Sequence, residues 1–413
     1  MTAALVVFCA TYLMIAVGKI GFFGFDRPAA TIVGSVAMVA VAGFPLDKAL
    51  GAVDLHVIAL LFGVLVIAAQ LREAQFFKLA AHHVLIRAHS ARSLLFAITF
   101  VAGGLSALLV NDTVCVVLTP LVVTVAAEAA LEPLPFLLAL ASGANIGGVV
   151  SFSGNPQNMI VGAAAHDVIG FAHYLGLMLP IGAVCLAANA VVLAWLFRHS
   201  LPTRRLREIH APAPKVDVVA TCKGLAALAL FAGLALAGVS LAGAAMAAAA
   251  ALLVSTRADA QRRAFAVVDW PLLAFFAGLF VVIAGVADTG ALERLFDAVA
   301  PVVARGDVVG DAAFVAMIVL AANLVSNVPL VIVAVGWIPH MHDPRWGYVM
   351  LAAASTLSGN LTLFGSVANI IVVEGSSLKI SFWRFLRYGA VITSISLALA
   401  FALLAVERAI GLL

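Results

Sequence analysis

Residues 109–121 read LVNDTVCVVLTPL and residues 324–336 read LVSNVPLVIVAVG, two apolar stretches broken by the same kind of polar step. Asn111-Asp112-Thr113 interrupts the first and Ser326-Asn327 the second. Outward from these breaks the likeness continues at an offset of roughly 215 residues. Val53-Asp54 followed by IALLFGVLVIA (58–68) matches Val268-Asp269 followed by LLAFFAGLFVV (272–282), with Gly63 over Gly278. ANIGGVVSFSGNPQNMIV (144–161) lies over GNLTLFGSVANIIV (359–372), and Phe171, Tyr174 and Leu175 lie over Phe382, Phe385 and Leu386. The chain is a duplicated unit, residues 1–200 and 222–413, joined by a linker over 201–221 that holds Pro202, Pro212 and Pro214.

The composition says where such a chain resides. Of 413 residues 64% are hydrophobic and 10% charged, with a mean hydropathy of +1.17; soluble domains carry about 25% charged residues. This is an integral membrane protein, and its constant partner is the lipid bilayer. No Lys or Arg occurs from Ser93 to Phe197. The net charge of +3 sits in a few short loops, so it marks orientation rather than a nucleic-acid partner. Cys9, Cys115, Cys185 and Cys222 form no CxxC or Cys/His cluster, which argues against a zinc site or a disulfide framework. Ala3–Val17 reads as a retained first helix rather than a signal peptide.

Basic residues favour the cytoplasmic side of short loops, and the two halves distribute them oppositely. Residues 72–93 hold Arg72, Lys78, Arg87 and Arg92, whereas the matching stretch 288–311 holds Arg294 and Arg305 against five acids. Residues 166–173 have no Lys or Arg, yet their counterparts near 376–387 carry Lys379, Arg384 and Arg387. The repeats are therefore inverted. The linker, rich in Arg, must share a side with residues 72–93, so an even number of crossings separates them. Residues 94–127 are broken halfway and read as a re-entrant helical hairpin, because a full crossing needs about 20 residues. A second hairpin over 312–339 enters from the other side. Each half is thus three crossings, a hairpin, a broken transmembrane helix (134–165; 347–375) and a final helix. The fold class expected is all-α integral membrane, multi-pass in the cell inner membrane, with both termini outside the cytoplasm. Only Lys48, Arg294, Arg305, Arg345 and Arg408 then lie outside.

Unpaired backbone at membrane depth survives only where protein or a hydrated cavity satisfies it, and secondary transporters place paired broken helices around such a cavity. Four breaks occur: Asn111-Asp112-Thr113, residues 151–158, Ser326-Asn327-Val328-Pro329 and residues 365–369. Asn and Ser side chains replace lost backbone bonds and can equally hold a ligand. Asn111, Thr113, Asn155, Asn158, Asn327, Ser366 and Asn369 are the candidate substrate-binding residues. Asp112, with Asn111, Ser326 and Asn327, is the candidate for the coupling ion, because a carboxylate at that depth costs several kcal/mol unless solvated or paired. Asn111, Asn145, Asn327 and Asn360 are candidate Na⁺ ligands. No cofactor is expected beyond Na⁺ or H⁺ as coupling ion. None of the breaks holds Arg or Lys, which disfavours a highly charged solute. There is no HExxH, no GxSxG and no His in any break, so an enzyme is not expected.

At these residues the sequence resembles the ion transporter superfamily of arsenite pump membrane subunits, citrate and divalent-anion symporters and NhaD-type antiporters. Asn111-Asp112 followed by Leu118-Thr119-Pro120 resembles the arsenite-pump pattern Asn-Asp-Gly ending in Leu-Thr-Pro-Ile, and Gly359-Asn360 through Gly365-Ser366 resembles its partner. The symporter branch reads Ser-Asn-Thr at both tips; here Asn-Asp-Thr and Ser326-Asn327-Val328 stand instead, which points away from sodium/dicarboxylate symport. The loop Gly154-Asn155-Pro156-Gln157-Asn158 looks most like anion-permease-like members. The resemblance implies a homodimer with a static scaffold and a moving, elevator-type transport domain, and a separate soluble ATPase only if the arsenite branch applies. The function expected is secondary active transport of a small anion or oxyanion-type solute, arsenite- or carboxylate-like, coupled to H⁺ or Na⁺. The alternative is a Na⁺/H⁺ antiporter.

Overall fold

The computed structural model describes residues 2–17, 26–85, 87–202, 206, 214–303, 305–376, 378 and 380–413. Lys379 and the linker residues 203–205 and 207–213 lie outside the described residues, and with them most of the linker expected over 201–221.

The first repeat forms α1 (Thr2–Val17), α2 (Arg27–Ala40), α3 (Leu46–Gly51), α4 (Leu55–Glu73), α5 (Phe76–Leu85), α6 (Ala91–Leu108), α7 (Asn111–Glu128), α8 (Leu134–Gly148), α9 (Pro156–Ala164) and α10 (Phe171–Leu196). The second forms the same series: α11 (Val218–Leu236), α12 (Leu241–Ser255), α13 (Ala258–Val267), α14 (Trp270–Ala287), α15 (Ala291–Val303), α16 (Val308–Val325), α17 (Asn327–Ala334), α18 (Pro344–Ser358), α19 (Val367–Gly375) and α20 (Phe382–Ala409). Among the described residues there is no strand, and eight helices are long and apolar enough to cross a membrane.

Side-chain caps set many of the helix starts. Asp54 caps α4 and its repeat counterpart Asp269 caps α14; Asp26, Ser240 and Asp217 do the same for α2, α12 and α11. The two hairpins are less alike than expected. Both arms of the first, α6 and α7, have 18 residues, about 27 Å at 1.5 Å each, so length alone does not bar them from spanning. In the second, the inner arm α17 has only 8 residues, about 12 Å, and cannot cross.

The repeats interlock about a two-fold relation. α4 packs on α12 as α14 packs on α2; α7 packs on α19 as α17 packs on α9; α8 meets α19 as α18 meets α9. Matched glycines make the first exchange possible. A Cβ on Gly63 would stand 2.6 Å from the Ala245 backbone, and one on Gly278 would stand 2.8 Å from the Thr31 backbone. Lipid offers no hydrophobic drive between helices, so close approach over small residues is what holds them. Gly143 and Gly147 of α8 likewise face the backbone of Thr99 and Gly103 of α6.

The last helices report the relative sense of the two halves. α10 and α20 are repeat equivalents that pack against each other. His173, near the start of α10, bonds the Leu412 carbonyl beyond the end of α20 at 2.7 Å, whereas the Phe197 ring, just past the end of α10, lies tilted with its centroid 4.6 Å from that of Tyr388, early in α20. They run antiparallel along their length, so the repeats are inverted. Ion pairs between distant segments fit the same arrangement. Lys48 pairs with Asp288, Arg263 with Glu73, Arg384 with Glu132, and Arg408 with Asp311 and Asp343; each joins segments that the charge distribution assigns to one side.

Candidate functional site

Each tip is a helix N-terminus delivered by a break. After α6 the chain turns through Leu109 and Val110, and α7 starts at Asn111; after α16 it turns at Ser326, and α17 starts at Asn327. The turns differ. Val110 has φ −58° and ψ 123°, while Ser326 has φ 78° and ψ 153°, a region that favours glycine.

Behind the tips lies a connected set of buried amides. Asn111 Nδ2 donates to Asn145 Oδ1 at 3.0 Å, and Ser366 Oγ donates to the same oxygen at 3.0 Å. Asn145 Nδ2 donates to Asn360 Oδ1 at 2.9 Å and to Asn369 Oδ1 at 3.2 Å. On the other side Thr356 Oγ1 donates to Asn158 Oδ1 at 2.9 Å and accepts from Asn155 Nδ2 at 3.2 Å. These are reciprocal clasps: Asn145 of the first broken helix holds the second break through Ser366 and Asn369, and Thr356 of the second broken helix holds the first through Asn155 and Asn158. The sequence match of 144–161 to 359–372 is therefore out of register at its start. The structure pairs Asn145 with Thr356, Gly148 with Gly359, Asn155 with Ser366 and Asn158 with Asn369, without a gap.

The same amides close the breaks. Asn158 Nδ2 donates to the Gly148 and Ser151 carbonyls at 3.1 and 3.3 Å, and Asn369 Nδ2 to the equivalent Gly359 and Thr362 carbonyls at 2.7 and 2.9 Å. Asn155, Asn158 and Asn369 are fully buried and none lines the cavity described next. Their expected contact with solute does not match this placement: their hydrogen-bonding capacity goes to the backbone that the breaks leave open. Asn145 and Asn360, expected near Na⁺, also sit in this layer. Asn323 belongs to it too, bonding the Ser358 carbonyl and accepting from Thr362.

In front of the layer is a cavity of about 370 Å³. Asn111, Asp112, Pro156, Gln157, Ser326, Asn327, Ser366 and Val367 line it, so both hairpin tips and both broken helices meet there. Asp26, Arg27, Pro28, Asp269, Pro271 and Phe275 also line it, with Val116, Leu272, Val328 and Ile371. A smaller cavity of about 80 Å³ beside it takes in Thr113 and Arg72 and shares Asp112 and Asp269. Six helices, α2, α7, α9, α14, α17 and α19, present their N-terminal turns to the larger cavity; these dipoles favour an anion, while Asp26, Asp112 and Asp269 in the same wall oppose it and Arg27 supports it. Asp26 and Asp269 are exposed, so the cavity leads from the buried tips to the face that bears them. Among the described residues no His, Cys, Asp and Glu group could hold a metal ion.

At the tips themselves two groups are unpaired among the described residues. The Asp112 carboxylate makes no hydrogen bond or ion pair among the described residues; only its backbone N–H is engaged, by Asn111 Oδ1 at 2.9 Å. Asn327 Oδ1 is buried with no partner, unlike its counterpart Asn111. An orphaned amide oxygen beside a free carboxylate suits a cation or a hydroxyl.

Residues 12–346 match CitMHS, described as citrate transporter. The chain belongs to the CitMHS family. It is 29% identical to the silicon efflux transporter LSI3 of rice over 95% of this chain and 96% of that one. It is 28% identical to the uncharacterized transporter slr0753 of Synechocystis over 83% and 84%, and 23% identical to the putative transporter arsB of Dictyostelium discoideum over 88% and 84%. The fold matches the YdaH transporter of Alcanivorax borkumensis, whose topology is described as unusual, with a TM-score of 0.57 at 17% identity over 99% and 97% of the chains. The protein is a membrane transporter of an anion-transporting family.

Sequence reasoning located the tips but missed Arg27, Asp26 and Asp269 in the transporter's cavity. The absence of Lys and Arg from the breaks holds, yet Arg27 reaches the same space from α2. The Asp26-Arg27-Pro28 step shows two charges opening a membrane helix, but nothing in it shows their nearness to the tips, which α2 packing on α14 creates.

Proposed function

We propose that the protein is a secondary active transporter of a small anionic or oxyanion-type solute, arsenite- or carboxylate-like, held between the two hairpin tips and driven by the H⁺ or Na⁺ gradient. The observation that carries this reading is the single cavity that both tips and both broken helices line. Its size suits a small solute, since ligand pockets run from about 300 Å³ upward.

Asn111, Asn327, Ser366 and Gln157 supply polar contacts to the solute, and Asp112 carries or binds the coupling ion. The wall has two origins: α2 and α14 on one side, the hairpins and broken helices on the other. That division suits an elevator-type motion in which the hairpins move against α2, α4, α12 and α14. A homodimer would anchor those four helices. A soluble ATPase enters only if arsenite is the solute. The inner membrane, with both termini outward, is the placement that the basic loops favour.

A Na⁺/H⁺ antiporter is the second reading, favoured by the free Asp112 carboxylate and the unpartnered Asn327 Oδ1 on one cavity. Uptake into proteoliposomes of arsenite, succinate and citrate, with pH and Na⁺ gradients imposed separately, tests both. Gradient-driven uptake of one of these solutes, losing its gradient dependence in Asp112→Asn, is the expected result. Sodium-driven proton movement with no other solute would favour the antiporter instead.

A further inference from the structure

Arg27 is the first residue of α2, half-buried, and faces the cavity. Its guanidinium has no hydrogen bond or ion pair among the described residues. Two carboxylates nearby each use one oxygen to cap their own helix, Asp26 Oδ1 accepting the Arg27 backbone N–H at 2.8 Å and Asp269 Oδ1 the Leu272 N–H at 3.0 Å; the charges of Asp112, Asp26 and Glu374 act on the guanidinium without bonding it. Asp112 lines the same cavity but forms no ion pair with Arg27. A cation at a helix N-terminus is placed against the helix dipole, and a partly desolvated guanidinium without a hydrogen-bonded partner is costly. An anion in the cavity removes both penalties, and a guanidinium suits a carboxylate's two oxygens.

The two-fold relation gives Arg27 no charged counterpart. Thr31 of α2 faces Gly278 as Ala245 of α12 faces Gly63; the same register sets Ser240 where Asp26 stands and Leu241 where Arg27 stands, each the first residue of its helix. Inverted repeats produce the opposite-facing state by exchanging roles. In that state the position beside the tips belongs to Leu241, which has no charge.

We propose that Arg27 is the transporter's anion-selecting residue and that it acts on one side of the membrane only, the side bearing Asp26 and Asp269. It binds one carboxylate-like group of the solute when the cavity faces that side and has no equivalent when the cavity faces the other. The solute therefore binds more tightly from the Arg27 side. This rests on the transport reading above for its sidedness; the anion contact itself does not.

Two measurements separate the parts. The first is the thermal shift of the purified protein with succinate or citrate, in wild type, Arg27→Lys and Arg27→Gln. The wild type is expected to be stabilised, Arg27→Lys to keep part of the shift, and Arg27→Gln to need roughly ten- to hundredfold more anion. Wild-type protein indifferent to every anion, or Arg27→Gln responding like wild type, overturns the proposal. The second compares uptake KM in right-side-out and inside-out vesicles. A lower KM from the Arg27 side, lost in Arg27→Gln and balanced by Leu241→Arg, is expected; equal wild-type values overturn the sidedness. An Arg27-dependent thermal shift without transport of any solute would leave the anion contact standing and remove the transport reading.

Discussion

Ser326 holds φ 78° and ψ 153° at the tip of the second hairpin, where a non-glycine residue carries about 1–3 kcal/mol of strain. Ser326→Gly is expected to raise the unfolding temperature in detergent, since it relieves the backbone, whereas Ser326→Ala keeps the strain and gains nothing. A gain with Ala, or a loss with Gly, would place the strain elsewhere. The buried amides behind the tips predict the opposite sign. Asn369→Ala strands the Gly359 carbonyl, while Thr362 keeps the Gly365 N–H, and an unpaired buried group costs about 1–3 kcal/mol; Asn158→Ala leaves Gly148 with Asn155 Nδ2 and Ser151 with the Gly154 N–H, so it strands neither. Both variants should melt earlier, Asn369→Ala by the larger amount. What could be read from residues alone follows from this division. Polar steps in apolar runs announced both tips and both breaks, because a bilayer tolerates such residues only for a reason. Which amides face the cavity and which close the backbone depends on side-chain direction, and Asn145 and Thr356 play one role with different chemistries. Arg27 gave no such signal: its place beside the tips is created by α2 packing on α14, far apart in the chain.

At the scale of helices, the exchange of α4 onto α12 and α14 onto α2 depends on Gly63 and Gly278. Gly63→Val and Gly278→Val should each destabilise the protein severely, by several kcal/mol, because the added atoms meet backbone that cannot swing aside. Gly104 and Gly176 face open space, so alanine there should melt close to wild type. Equal tolerance at all four sites would contradict the packing. The match of Gly63 to Gly278 was visible in the sequence, whereas their purpose was not, since each one's partner lies in the other repeat. Hairpin arm length was the weaker inference: apolar composition located both hairpins, but the length limit holds for α17 and not for α7.

Across the whole molecule, antiparallel α10 and α20 make the two halves face opposite ways. Cysteines placed at the exposed positions Asp167 and Trp383 should react with a membrane-impermeant maleimide from opposite sides; labelling from one side would refute the inversion. The inverted sense was legible because charged loops record orientation without any knowledge of packing. Both hairpins share one cavity, and solute protection of cysteines tests that most directly. Val116→Cys on the first hairpin and Val328→Cys on the second, each in a background with the four native cysteines replaced, both line this cavity. The expected result is that a transported solute slows alkylation at both positions with the same half-protecting concentration. Protection at one position with the other untouched would contradict the shared cavity.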